Sequence, residues 1–279
     1  MPTSVLFIVL LAAVLHASWN AIAHAVTDRL IGFALMGVTD VVVGGALVAL
    51  SPALARAAWP FVAVSAVLHI VYGLLLMQCY RIGDFGQMYP ISRGTSPWLV
   101  AIGAAVFAGE SLPVLRLLGV AVISAGLLSL VFAGGIPSRK QRTAIGAAVL
   151  TGVSIACYTT VDGLGVRQAG TAAGYTGWLF LLQGPPLPIL ALVVRRERLW
   201  APVRTHLGAG LTGGALSLLA YGLVLWAQTR GPLALVAALR ESSVVAGALI
   251  GALVFHERFG RWRVLAAGLV AVGILLIAG

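Results

Sequence analysis

Apolar residues occur along this chain in long runs separated by short polar or charged connections. A helix that spans a bilayer needs about 20 apolar residues. Runs of about that length lie near residues 4–26, 31–51, 60–80, 87–108, 114–133, 144–166, 172–194, 207–228, 232–255 and 262–278. The connections contain turn residues and charges, as in "GGIPSRKQR" and "RRERLWAPVRTH". The pattern predicts an all-α integral membrane protein with ten transmembrane helices.

The composition agrees with a membrane protein and excludes an ordinary soluble domain. Hydrophobic residues make up 60% of the chain and charged residues 9%, whereas soluble domains have about 25% charged residues. The formal net charge of +10 is carried by basic residues in the connections, where they orient the chain or contact lipid headgroups. We therefore expect the lipid bilayer as a partner and no nucleic acid. The first apolar run is too long for a signal-peptide core and is expected to remain as a span.

Motifs for catalysis or for metal and cofactor binding are missing from the sequence. It contains no His-Glu-x-x-His pair, no Gly-x-Ser-x-Gly turn and no Gly-rich phosphate loop after a strand. The two cysteines, Cys79 and Cys157, lie in apolar runs, so neither a disulfide nor a thiolate metal site is indicated. We expect no catalytic residues, no metal and no cofactor. A membrane-embedded enzyme, a receptor and a structural membrane protein are the less favoured alternatives.

An internal repeat divides the chain into two halves. A shift of 147 residues, which places Arg93 over Arg240, aligns the fourth and fifth runs with the ninth and tenth without a gap. It also pairs Ser96 with Ser243, Glu110 with Glu257, Arg116 with Arg263 and Gly126 with Gly273. Each copy holds five spans, and an odd number inverts the second copy in the membrane. The predicted architecture is therefore two five-helix inverted-topology repeats, residues 1–135 and 143–279, which is typical of secondary transporters with a substrate site between the copies.

The motifs "HASWN" and "YRIGDFGQMYPISRG", together with the turn Gly109-Glu110 and its counterpart His256-Glu257, resemble the drug/metabolite transporter superfamily, in particular its EamA-like domains. The resemblance covers essentially the whole chain, with one domain in each half. It implies a ten-helix bundle that moves a small metabolite by alternating access, often as an exporter. The superfamily carries amino acids, nucleotide sugars, phosphorylated sugars, choline-like cations and drugs. Four-span relatives use a glutamate in their first helix for proton coupling, but the first span here has no carboxylate.

Arg93 and Arg240 are the main candidates for substrate binding. An arginine at the centre of a spanning helix costs about 2.5 to 3.5 kcal/mol on insertion scales, and this chain places one at equivalent points of both repeats. Because the guanidinium fork suits carboxylate or phosphate, we predict a substrate with an acidic group, such as an amino acid or another small organic anion or zwitterion. Two alternatives stay open: an arginine paired with Asp40 or Glu241 only to hold helices together, and a carrier of organic cations or drugs in an aromatic-lined cavity.

Other polar and aromatic residues at membrane depth complete the predicted site. His16, Asn20 and His24 recur every four residues and form one stripe on the first helix. Tyr89 shares the face of Arg93. Trp19 and Tyr158 are expected to supply aromatic walls. The predicted substrate-binding residues are Arg93, Arg240, Tyr89, His16, Asn20, Trp19, Tyr72, Tyr158 and Tyr221.

Proton coupling is assigned to Asp40, because an ionisable group near the middle of a span is costly and is expected to be functional. His16 is the alternative carrier, and uncoupled exchange also remains open. Asp162, close to the end of the sixth span, is expected to act as a cap or at the membrane interface. Glu110 and Glu257 are expected to stabilise the amino-terminal ends of the fifth and tenth helices.

Basic residues predict how the chain is oriented in the cell (inner) membrane. Odd-numbered connections contain twelve of them and even-numbered connections four. The positive-inside rule therefore places the odd connections in the cytoplasm and both termini outside, whereas the resemblance implies cytoplasmic termini. Ten helices are sufficient as a monomer.

Overall fold

The computed structural model describes residues 2–82, 85–134, 142–196, 199–254 and 260–278, and every regular element in these ranges is helical. Single 3₁₀ turns occur at Arg56–Ala58 and Leu130–Gly134. The α-helices are α1 (Thr3–Ala25), α2 (Arg29–Leu50), α3 (Trp59–Ile82), α4 (Phe85–Ala108), α5 (Val114–Ser129), α6 (Arg142–Gln168), α7 (Ala172–Gln183), α8 (Pro186–Arg195), α9 (Trp200–Gln228), α10 (Leu233–Arg240), α11 (Ser243–Val254) and α12 (Arg261–Ala278).

The helices coincide with the apolar runs of the sequence, although two runs are broken. The seventh run is divided into α7 and α8 at Pro185 and Pro186, because proline lacks the N–H that the helical ladder requires. The ninth run, predicted as one helix, is divided into α10 and α11 at Glu241 and Ser242. Within the described residues, eight segments are long and apolar enough to cross a membrane. The chain is thus an all-helical protein with several membrane-spanning helices.

Helix α4 continues through two internal prolines, Pro90 and Pro97. Pro97 cannot donate to the carbonyl of Arg93 four residues earlier. The hydroxyl of Ser96 donates to that carbonyl instead, at 3.2 Å. The hydroxyl of Thr95 likewise donates to the carbonyl of Ile91, at 2.8 Å. The Ser96 hydroxyl therefore satisfies a backbone carbonyl that Pro97 would otherwise leave unpaired in an apolar surrounding.

Close helix contacts are made through small residues. Helices α5 and α12 meet at Gly119 and Gly273, where an added Cβ on Gly273 would lie 2.8 Å from the carbonyl oxygen of Gly119. Helices α2 and α7 meet at Gly44 and Gly177 in the same way. Side-chain-free surfaces let helix backbones approach closely, which is the usual means of association inside a membrane.

Large apolar side chains cover the outside of the bundle. Phe7, Phe107 and Leu275 are 66%, 71% and 72% exposed, and such a surface is stable only against lipid. Inside the bundle, α1 packs along α9, and α3 packs along α6. Helices α4 and α10 lie against α6. These inner helices carry the buried charged residues.

Candidate functional site

Arg93 on α4 and Arg240 at the end of α10 converge on one buried carboxylate, that of Glu241. Each arginine is only 2% exposed and Glu241 is fully buried. Arg93 Nε lies 2.8 Å from Glu241 Oε2, and Arg240 Nη2 lies 3.5 Å from Oε1. The structure therefore brings together the two arginines that the repeat relates. Their acidic neighbour is Glu241, one of the two partners considered from the sequence, and not Asp40.

This cluster has more hydrogen-bonding capacity than it uses. Among the described residues, Nε and Nη2 of both arginines and both oxygens of Glu241 have no hydrogen-bond partner. The 2.8 Å approach of Arg93 to Glu241 is an ion pair without the alignment that a hydrogen bond requires. A buried charged donor without an acceptor is costly. The cluster is therefore suited to bind a further acceptor, such as a carboxylate.

The break in the ninth run places the charges of this cluster at two helix ends. Arg240 is the last residue of α10 and Glu241 lies just before α11, which begins at Ser243. A cation is favoured at the carboxyl end of a helix and an anion at the amino end. The helix break therefore favours the charge of Arg240, whereas Glu241 is both the C-cap residue of α10 and close to the amino end of α11, so the two helix ends act on its charge in opposite directions. Discontinuous helices of this kind form substrate sites in many secondary transporters.

Aromatic side chains lie beside the arginines. The Arg93 guanidinium carbon is 5.9 Å from the centre of the Tyr89 ring, within range of a cation–π contact. The rings of Tyr72 and Tyr158 have centroids 5.4 Å apart, and those of Tyr158 and Tyr221 6.0 Å apart. Both arginines are within electrostatic range of Tyr72, Tyr89 and Tyr158, and Arg240 also of Tyr221. All four predicted tyrosines thus belong to one cluster.

The predicted residues of α1 are joined to one another through His16. Trp19 Nε1 donates to His16 Nδ1 at 3.2 Å, and Asn20 Nδ2 donates to the His16 carbonyl at 2.7 Å. His16 is within electrostatic range of Arg93 and Arg240, so it adjoins the arginine cluster. The hydrogen bonds and ring contacts described for Trp19 and Asn20 are within α1, and an aromatic wall at Trp19 stays a prediction.

Asp162 belongs to a second buried cluster, in place of the cap or interface role expected from the sequence. It is fully buried. Its carboxylate accepts hydrogen bonds from the hydroxyls of Tyr175 and Tyr221, and His69 Nε2 is 3.9 Å from Oδ2. The His69 ring stacks on Tyr158 with centroids 4.0 Å apart. The sequence contained one signal for this cluster, since Tyr158 and Asp162 are four residues apart on one helix face.

Asp40 and Glu110 lie away from these clusters. Asp40 Oδ1 is buried without a hydrogen-bond partner among the described residues. Glu110 accepts a hydrogen bond from the backbone N–H of Leu233, at 2.8 Å, and pairs with Arg167. The expected helix-end role thus applies to α10, and not to the fifth helix. Glu257 and the side chain of His24 lie outside the described part of the chain.

Comparison with known proteins identifies the family. The model of the EamA-like transporter family matches residues 142–279. The chain belongs to the EamA-like transporter family. The family is part of the drug/metabolite transporter superfamily, so the resemblance seen in the sequence motifs is confirmed. Since its members are transporters and not enzymes, membership indicates a multi-pass membrane transporter.

A solved protein with a similar fold covers nearly the whole chain. Its crystal structure superimposes with a TM-score of 0.75 and 18% sequence identity, over 98% of this chain and 95% of the other. At this identity the similarity establishes the fold alone. A sequence search of curated proteins gave no match.

Proposed function

We propose that this EamA-like protein is a secondary transporter of the cell (inner) membrane. Its cargo is a small metabolite with an acidic group, such as an amino acid or another small organic anion, moved by alternating access and exported. The two five-helix repeats, residues 1–135 and 143–279, form the halves between which access alternates, and the substrate binds between them at Arg93 and Arg240.

The observation that carries this proposal is the incomplete hydrogen bonding of the buried arginines. Two guanidinium groups with unpaired nitrogens face one carboxylate, Glu241, so the three side chains have a net positive charge. The donors of the two guanidinium groups outnumber the two oxygens of Glu241, and an acidic substrate supplies further acceptor oxygens. A cluster built only to hold helices together would be expected to satisfy its own donors.

The packing of the helices supports an inverted repeat. If the halves are equivalent, α1 corresponds to α6 and α3 corresponds to α9. The contact between α1 and α9 then corresponds to the contact between α6 and α3, and both pairs pack along each other. The two arginines come from equivalent spans of the two halves and meet at Glu241. This is the arrangement expected of a site between inverted repeats.

Asp40 is the candidate that the sequence offers for coupling transport to a proton gradient. Its buried Oδ1 has no hydrogen-bond partner among the described residues, and none of the ion pairs between described residues includes Asp40. A carboxylate in these surroundings is costly when charged. Uptake of a proton removes that cost.

The alternative cargo, an organic cation, is supported by the aromatic cluster around Tyr158 and the adjacent Asp162. Aromatic faces and a carboxylate attract cations. The two arginines oppose such a cargo, because both are within electrostatic range of Tyr158. An acidic cargo is therefore the better fit to the charges of the site.

A thermal-shift screen of the purified protein tests the proposal. The compounds are amino acids, small organic acids, phosphonates, nucleotide sugars and quaternary amines, since a ligand that binds the native state raises its apparent stability. We expect stabilisation by compounds with an acidic group. The variants Arg93→Gln and Arg240→Gln should remain monodisperse and lose this stabilisation, whereas the control Arg230→Gln, at an exposed arginine, should keep it. Stabilisation by quaternary amines alone, or unchanged binding in both variants, would contradict the proposal.

A further inference from the structure

Asp162 and His69 form a buried pair that can hold a proton. Asp162 has no solvent exposure, and the only basic side chain within 4.0 Å of its carboxylate among the described residues is that of His69, at 3.9 Å. Hydroxyl donors reach the carboxylate from Tyr175 and Tyr221, and Ser65 also interacts with it. The carboxylate is thus solvated by hydroxyl groups and not by a permanent positive charge.

The contacts of His69 determine where a proton can be added. Its Nδ1 lies 3.0 Å from the carbonyl oxygen and 3.1 Å from the hydroxyl oxygen of Ser65. In the neutral tautomer with its hydrogen on Nδ1, that hydrogen is donated to the carbonyl, and Nε2 has a lone pair that faces Asp162 Oδ2. One further proton, on Nε2 or on Oδ2, replaces this repulsion with an attraction. The pair therefore has one position for an exchangeable proton.

The pair is electrostatically connected to the arginine cluster. Arg240 is within electrostatic range of His69 and of Tyr221. Tyr158, which stacks on His69, is within electrostatic range of Arg93, Arg240, Glu241 and Asp162. The pair and the arginine cluster are surrounded by charged and titratable side chains from each helix that packs there. These are Tyr72 on α3, Tyr89 and Arg93 on α4, Tyr158 on α6, Tyr175 on α7, Tyr221 on α9, Arg240 and Glu241 at the break after α10, and His16 on α1.

These groups are balanced in charge when His69 is neutral. Arg93 and Arg240 carry two positive charges, and Glu241 and Asp162 carry two negative charges. One added proton gives the buried site a net charge of +1, and one bound monoanion returns it to neutrality. An uncompensated charge in a buried site costs several kcal/mol.

From this balance we infer that the Asp162–His69 pair is a proton-binding site that loads together with a monoanionic substrate at Arg93 and Arg240. The inference rests on the proposed arginine site, assigns the coupled proton to this pair in place of Asp40, and adds the stoichiometry and sign of the coupling. Proton and anion favour each other, and by thermodynamic reciprocity each raises the affinity for the other by the same factor. A zwitterion brings its own positive charge and needs no proton. The coupled step is therefore co-transport of one proton with one organic acid.

Binding of a monoanion and binding of a zwitterion can be compared in the purified protein with matched probes. Lactate and alanine share a carbon skeleton and differ in net charge, as do phenyllactate and phenylalanine. All carboxyl groups of these probes are ionised between about pH 6 and pH 8. We expect the affinity for the hydroxy acids to increase about tenfold for each unit of pH decrease, with one proton taken up from an unbuffered solution for each anion bound. Affinity for the amino acids should not change with pH.

Variants assign the proton to a residue. Asp162→Asn resembles the protonated pair, so hydroxy-acid binding should become independent of pH and at least as tight as in the unchanged protein at pH 6. His69→Gln is the second variant in case Asp162→Asn does not fold. It leaves Asp162 as the only proton acceptor of the pair, so the pH dependence should shift along the pH axis, and an unchanged pH profile would contradict the role of His69. If Asp40→Asn or His16→Gln removes it instead, the proton is held there and the inference is wrong.

The outcomes distinguish this inference from the proposed function. Hydroxy-acid binding that does not change with pH contradicts the inference alone and leaves the arginine site in place. If no acidic probe of the thermal-shift screen binds at pH 6 or pH 8, the proposed function fails and the inference fails with it.

Discussion

The carboxylate of Glu110 connects the two halves of the chain, and its removal should destabilise the end of the helix that carries Arg240. Glu110 lies between α4 and α5. It accepts a hydrogen bond from the N–H of Leu233, the first residue of α10, and pairs with Arg167 at 2.8 Å. Two substitutions separate these interactions. Glu110→Gln keeps an acceptor oxygen and loses the ion pair, whereas Glu110→Ala loses both.

The expected magnitudes follow from the exposure of the groups. The side chains of Arg167 and Glu110 are 32% and 13% exposed, so the ion pair is partly screened and contributes less than about 1 kcal/mol. Loss of a helix cap costs about 1 kcal/mol, within a range of about 0.5 to 2. Glu110→Ala should therefore cost about 2 kcal/mol. Glu110→Gln should cost less than half of that.

Thermal unfolding in detergent measures the difference. A change of 1 kcal/mol shifts the Tm by about 2 to 4 °C in chains slightly shorter than this one. We expect Glu110→Ala to lower the Tm by about 4 to 8 °C and Glu110→Gln by less than about 4 °C. Equal shifts for the two variants would show that the hydrogen bond to Leu233 contributes nothing, and the reasoning would be refuted.

Two further predictions concern packing and orientation. Gly273→Ala should lower stability by about 1 to 3 kcal/mol through overpacking against α5. The control Gly268→Ala, with no atom within 4 Å of the added Cβ, should leave stability unchanged. Similar Tm values for the two variants would contradict the tight α5–α12 contact. In a cysteine-free variant, Gln168→Cys should react with an impermeant maleimide in intact cells and Thr205→Cys should not, since the positive-inside rule places the seventh connection in the cytoplasm. The reverse labelling pattern would overturn the predicted orientation.

Most helices could be predicted from the sequence because span length depends on local apolar composition. The apolar run at 114–133 corresponds to α5 and the 3₁₀ turn after it, and the break at Pro185 follows from the chemistry of proline. The break at Glu241 could not be predicted in this way. It depends on how the polar segment from Arg240 to Ser243 packs in a buried site, which apolar periodicity does not describe.

The candidate site was predicted in part. The internal repeat related Arg93 to Arg240 before any contact was known, and the helix packing then brought both to Glu241. The environment of Asp162 was not predictable in the same way, because its position near the end of a span says nothing about neighbours on other helices. Tyr175 and His69 reach it from α7 and α3, and such contacts depend on tertiary packing.

The most direct test of the arginine site is ligand-induced stabilisation of the double variant Arg93→Gln, Glu241→Gln. Removal of a complete buried ion pair is often nearly neutral for stability, whereas removal of one partner costs about 3 to 5 kcal/mol. If the pair only holds helices together, the double variant should bind acidic ligands as the unchanged protein does. We predict that the double variant stays monodisperse but has a lower Tm without ligand, because Arg240 loses its contact with Glu241. Its affinity for acidic compounds should fall by a factor of at least about ten, from the loss of a charge-assisted hydrogen bond. A double variant with full ligand-induced stabilisation would contradict the assignment of Arg93 to the substrate.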